Sequence, residues 1–308
     1  MPDPLLIVGA SILAGVVAAF TVLAFGRTLR TPRTGLATAG SALGAGAGIL
    51  AGAWMLGLAP QFPPIEDRDR FLLIVIPAAV LVEAISAVSG RGRWLLRFVV
   101  AVAVVPVLLH GSSYMTDLSG PNSREWSPTQ ALAIAFGLGT ACLIVLAGVS
   151  RAADRAGVAS LGLAGAVAAV AVMLSGYATG GQLGFALAGA LAGVVTASLI
   201  VSGPILGGAA GVGVVGLFSL LVIGRFFGNL STTNAALLFA APLVGSLMGR
   251  ARGGRPSPWL WNAGRLSLTL VPAAMALALA VQQFSTNSTR PAADGTGPSA
   301  SDYLNFGK

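Results

Sequence analysis

The chain predicts an all-α fold: a polytopic transmembrane helix bundle of about ten spans, with both termini non-cytoplasmic. Three observations predict it. Of 308 residues, 55% are hydrophobic and only 9% charged, with a mean hydropathy of +0.85, whereas soluble domains are about 25% charged. The apolar residues fall into runs long enough to cross a bilayer, roughly 20 residues each. The basic residues then collect in alternate loops, as cytoplasmic loops of membrane proteins require. Residues 1–281 are expected to form the bundle. Residues 282–308, rich in Ser, Thr, Pro, Ala and Gly without apolar periodicity, read as a disordered tail.

The expected spans are Leu5–Phe25, Leu36–Leu58, Phe71–Ser89, Trp94–His110, Gln130–Val149, Gly157–Gly176, Gln182–Val201, Pro204–Ile223, Asn234–Gly249 and Ala263–Val281, the ninth being the shortest. Before the first, Met1-Pro2-Asp3-Pro4 lacks the basic segment of a cleaved signal peptide. Between Gln182 and Ile223 the chain has no charge. As one helix this stretch would measure about 63 Å, twice the hydrocarbon thickness, so it must fold back. Ser202-Gly203-Pro204 suits the turn, because glycine ends a helix and proline begins one without needing its N–H.

Ten spans divide the charges sharply. One set of loops holds Arg27, Arg30, Arg33, Arg91, Arg93, Arg97, Arg151, Arg155, Arg250, Arg252, Arg255 and Arg265, twelve of the eighteen basic residues, against the single acid Asp154. The other set holds six basic residues and eight acids. Merging the seventh and eighth spans, or dropping the ninth, would move Arg250, Arg252 and Arg255 to the wrong side. The formal net charge of +8 is therefore an orientation signal, and nucleic acid is not an expected partner. Arginine in place of lysine, with abundant Ala, Gly and Val, suggests a GC-rich genome and the inner membrane of a bacterium.

Helices already in lipid gain little from apolarity alone, so close backbone approach through small residues has to contribute. Among 42 glycines, Gly40, Gly44, Gly48 and Gly52 recur at strict four-residue spacing in the second span. They form a helix-packing face and place that span centrally. Gly189 and Gly193, Gly203, Gly207 and Gly211, and Gly245 and Gly249 repeat the spacing. Pro77, Pro106, Pro242 and Pro272 each remove a backbone donor inside a span and can kink it. The glycines near residue 207 are not a phosphate loop, since no strand precedes them and no Lys-Ser/Thr follows.

Glu83 is the one ionisable residue well inside a span, and such a group is a functional hypothesis by default. Two readings compete. On a face of Ala79, Ser86, Ala87 and Gly90, a carboxylate is suited to bind and release a proton during transport. Alternatively, Arg97, just inside the fourth span, reaches across the short turn and forms a structural ion pair that registers the hairpin.

Other chemistry is thin. His110 precedes Gly111-Ser112-Ser113, yet the nearest acid, Asp117, lies on a loop, and neighbours in one chain seldom meet in triad geometry. One histidine and one apolar-flanked cysteine, Cys142, do not make a metal site, and no cofactor is expected. The mixed-charge stretch from Pro60 to Arg70 and the Ser112–Thr129 loop read as solvated connections, with tryptophans at the span ends forming an interfacial belt. The expected partners are the bilayer and either a small solute or another membrane protein. A small-solute secondary transporter is the first reading. The alternative is a non-catalytic membrane subunit or scaffold packing through glycine-rich faces, and an intramembrane enzyme is the least supported.

Overall fold

The computed structural model describes residues 3–28, 34–88, 92–115, 126–201, 206–248 and 258–289. Among these every regular element is helical. Helix α1 is Pro4–Thr28 and α2 Thr34–Met55. Helix α3 is continuous through Asp67–Arg70, a π-helical turn at Phe71–Val75, and Ile76–Val88. Then follow α4 (Arg93–Leu109), α5 (Pro128–Arg151), α6 (Arg155–Leu174), α7 (Ala178–Ile200), α8 (Gly207–Phe226), α9 (Thr232–Met248) and α10 (Pro258–Thr289). Eight of these are long and apolar enough to cross a membrane. The other two, α4 and α9, have 17 residues each, about 26 Å of helix.

Local chemistry explains several boundaries. Ser127 caps α5 with a capping box to Gln130 and Pro128 in the first turn. Asp154 caps α6 through Gly157 N–H at 2.9 Å. The π turn of α3 lies just before Pro77, whose ring would strike the Leu73 carbonyl in a regular α-helix; the widened turn absorbs that conflict.

The order of contacts sets helix directions. Gly44, Gly48 and Gly52 of α2 meet Val22, Ala14 and Ala10 in descending order, so α1 and α2 are antiparallel. Gly189 and Gly193 of α7 meet Ser11 and Gly15 in ascending order, so α1 and α7 are parallel. Continued through the bundle, this brings Arg97, Asp154, Arg155 and Arg265 to one end, here termed the basic end. Asp67, Arg70, His110 and Asn229 gather at the opposite end.

Three expectations need correction. The central helix is α8, not α2: every residue from Gly208 to Gly224 is buried, and α8 packs on α2, α3, α4, α5, α6, α7 and α9. A helix apolar on every side is buried on every side, whereas α2 keeps Leu43, Leu50 and Trp54 exposed. The mixed-charge connection is not wholly solvated, because Asp67, Asp69 and Arg70 form the buried first turn of α3. Finally, α10 extends to Thr289, eight residues into the segment read as disordered. The Ser285 and Thr286 hydroxyls donate back to the Gln282 carbonyl there, and the Asn234 side chain faces Gln283. The proposed turn at Ser202-Gly203-Pro204 lies outside the described residues, but α7 and α8 are separate helices packed on each other.

Candidate functional site

Glu83 and Arg97 meet at the basic end. Arg97 donates from Nε to Oε1 at 2.8 Å and from Nη2 to Oε2 at 2.5 Å, a bidentate fork between α3 and α4. Glu83 is 3% exposed. Its carboxyl rests on Gly211 of α8, where a Cβ would overlap it. The Arg97 guanidinium also stacks on Trp94, 5.0 Å from the ring centroid. Every acceptor direction of the carboxylate thus faces protein. The small face beside Glu83 includes the buried Ala79 and the buried, unpartnered Ser86 hydroxyl, while Gly90 lies outside the described residues.

The glycine row of α2 packs inward. A methyl group at Gly48 would strike the Ala14 carbonyl and Ala190, one at Gly52 Ala186, one at Gly44 Val22 and one at Gly40 Phe25. The row is the contact between α2, α1 and α7, and the backbone of α1 lies against it.

A second polar group, not singled out from the sequence, lies between α6, α9 and α10. Arg265 is 1% exposed. It pairs with Asp154, which stays half-exposed, and donates to the Gly245 and Ala152 carbonyls at 3.2 Å each. One turn deeper, Thr269 and Ser160 flank Gly245, and Ser160 Oγ is buried without a partner. Arg155 makes a parallel tie to α7, with Nη2 2.6 Å from the Ser198 carbonyl. The available signal was the position of Arg265, two residues inside the tenth expected span with Asp154 as the one acid on that side. It was counted with the loop charges because span boundaries are blurred by a turn.

The opposite end of the same seam carries uncharged polar side chains among apolar neighbours. A cleft of about 260 Å³ is lined by Ser175 and Gly176 after α6, Asn229 and Leu230 after α8, and Gln283 of α10. A wider hollow of about 450 Å³, lined by Asn229, Gln282, Gln283 and Thr286, adjoins it. Behind Gln283 lies Asn234, fully buried, with Nδ2 3.4 Å from Gln283 Oε1 and no partner for Oδ1. Nearby, the Tyr177 hydroxyl lies 2.7 Å from both oxygens of Asp67, and Arg70 donates to the Ile65 and His110 carbonyls. His110 thus contributes its backbone to this end; Asp117 lies outside the described residues.

On the apolar perimeter, α1 and α7 border an open groove of about 780 Å³ with Gly15, Gly189 and Gly193 in its wall. Cys142 is buried, and among the described residues no cluster of three metal-ligating side chains occurs. Comparisons of the chain with protein-family models, with curated proteins and with solved structures find no match.

Proposed function

We propose that the chain is a ten-span carrier of a small solute, with the basic end cytoplasmic and both termini outside. Its pathway follows the seam between α6, α9 and α10, and the Glu83–Arg97 pair is a brace beside it. The observation that carries this reading is Asn234, a fully buried carboxamide with an unpartnered oxygen behind a cleft open at the outer end. A polar group in that position costs free energy unless something uses it. Polar groups enter the seam from both ends, Arg265, Thr269 and Ser160 from one and Asn234 and Gln283 from the other. Buried Leu238, Ala241, Ala273 and Ala276 separate them. Pro242 and Pro272 lie inside α9 and α10 at that level, each removing one backbone donor from a helix that stays continuous. The closed carboxylate pair weighs against proton coupling at Glu83.

A second reading, the non-catalytic membrane subunit, is favoured by the glycine-walled groove between α1 and α7 together with the sealed Glu83 site. One experiment separates the two. Cys142 is the chain's single cysteine and is buried, so the native chain gives a silent background for thiol labelling. Ser160→Cys is nearly isosteric at a 2% exposed position. A carrier that opens toward the cytoplasm exposes this thiol to a membrane-impermeant maleimide in inside-out vesicles. A thiol inert in vesicles of both orientations overturns the carrier reading.

A further inference from the structure

Resting on the carrier reading for its place in a transport cycle, we infer that the outer cleft is a binding site for a small, uncharged solute bearing hydrogen-bond donors and acceptors, such as an amide or a polyol. The argument begins with what lines it. Asn229, Gln282 and Gln283 supply carboxamides and Ser175 a hydroxyl oxygen whose proton goes to the Val172 carbonyl, beside an apolar wall of Leu174, Leu230 and Phe284, and no Asp, Glu, Lys or Arg lines either hollow. A carboxamide offers two donors and an acceptor oxygen, so three together match a neutral solute carrying both functions. An ammonium or carboxylate entering the inner cleft would give up part of its hydration with no opposite charge lining it. A neutral amide or alcohol loses far less and recovers it in hydrogen bonds.

Size sets the second limit. The inner cleft, at about 260 Å³, lies below the roughly 300–1,000 Å³ of pockets for drug-sized ligands. Depth supplies the third. Asn234 Oδ1 is an acceptor with no donor, and its carboxamide is separated from the cleft by the Gln283 side chain, at a 3.4 Å contact that is long for a hydrogen bond. A solute N–H or O–H entering the cleft meets Gln283 first and reaches Asn234 only when the Gln283 side chain moves aside.

The test uses the full chain in right-side-out membranes with Ser285→Cys, exposed on α10 beside the lip and outside the lining of both hollows, as the reporter. Its rate of labelling by an impermeant maleimide is measured with acetamide, glycerol, acetate or methylammonium. We expect acetamide or glycerol to slow labelling, about twofold when its concentration equals the dissociation constant, and the two ions to leave the rate unchanged. Adding Asn234→Leu, or the exposed Gln283→Leu should the first variant not fold, abolishes the protection. Protection by acetate or methylammonium equal to that by the neutral probes overturns the solute class, and protection by none of the four overturns the site. Protection of Ser285→Cys with Ser160→Cys inert from both sides retains the binding site and discards the carrier.

Discussion

Arg97 clasps both carboxylate oxygens of Glu83 directly above Gly211, so three helices, α3, α4 and α8, meet at one buried charge pair. Removing one member of such a pair strands the other charge, at a cost of about 3–5 kcal/mol. Glu83→Gln is therefore expected to lower the thermal midpoint of the purified protein sharply, and Glu83→Leu with Arg97→Met to recover most of the loss. A Glu83→Gln protein that melts like the native one refutes the brace.

Gly211→Ala is expected to copy the Glu83→Gln defect, because the added methyl displaces the carboxyl from its seat. The two changes act on one contact, so their combined effect on the midpoint should fall short of additive. Gly137→Ala is the control: a Cβ there meets nothing within 4 Å, and alanine is favoured over glycine inside a helix by about 1 kcal/mol.

Arg265 binds one carboxylate and two carbonyls with a single planar fork. Lysine has one nitrogen and cannot span the three acceptors. Arg265→Lys should destabilise by about 1.5–3 kcal/mol for each charge-assisted bond lost, read as a lower chaotrope midpoint. Asp154→Asn should cost less, since its half-exposed carboxylate retains water.

At the opposite end, burial and the adjoining Asp67 carboxylate push the Tyr177 hydroxyl above its ordinary pKa. The folded state thus prefers neutral tyrosine. Its contribution to stability is fully present below the unfolded tyrosine value of about 10 and is lost as pH rises from there through the raised folded value. The difference in midpoint between the native chain and Tyr177→Phe should therefore be constant at neutral pH and shrink above pH 10. An unchanged difference at high pH contradicts the assignment.

Topology is tested at the ends of the chain. An alkaline phosphatase reporter fused after Lys308 should be active in the periplasm, and a reporter active only in the cytoplasm should be silent there. The opposite outcome removes the ten-span arrangement, because an even number of crossings with the arginine-rich loops inside leaves both termini outside.

Much of the bundle was legible in the residues. Apolar run length located every helix, to within a few residues for all but α10, which starts five residues earlier and ends eight residues later than expected, since a bilayer imposes length and satisfied backbone on any segment that crosses it. The Glu83–Arg97 contact was one of two readings, because a charge 14 residues from its opposite across a tight turn is within reach. Asn234, Ser160 and Gln283 carry no comparable signal. Asparagine or serine near a span end is ordinary, and its neighbours there come from helices far away in sequence.

Composition and apolar run length determine that this chain is a bundle of membrane-length apolar helices, and the loop arginines supply the expected orientation, because both follow from transfer free energies summed along one segment at a time. Which helix sits at the centre, what seals Glu83, and where the carboxamides of Asn229, Asn234 and Gln283 converge depend on packing between segments distant in sequence, as in the Ser41–Ala209 contact across 168 residues. Close approach is decided by the shape of both surfaces, and a spacing of four glycines describes one surface alone.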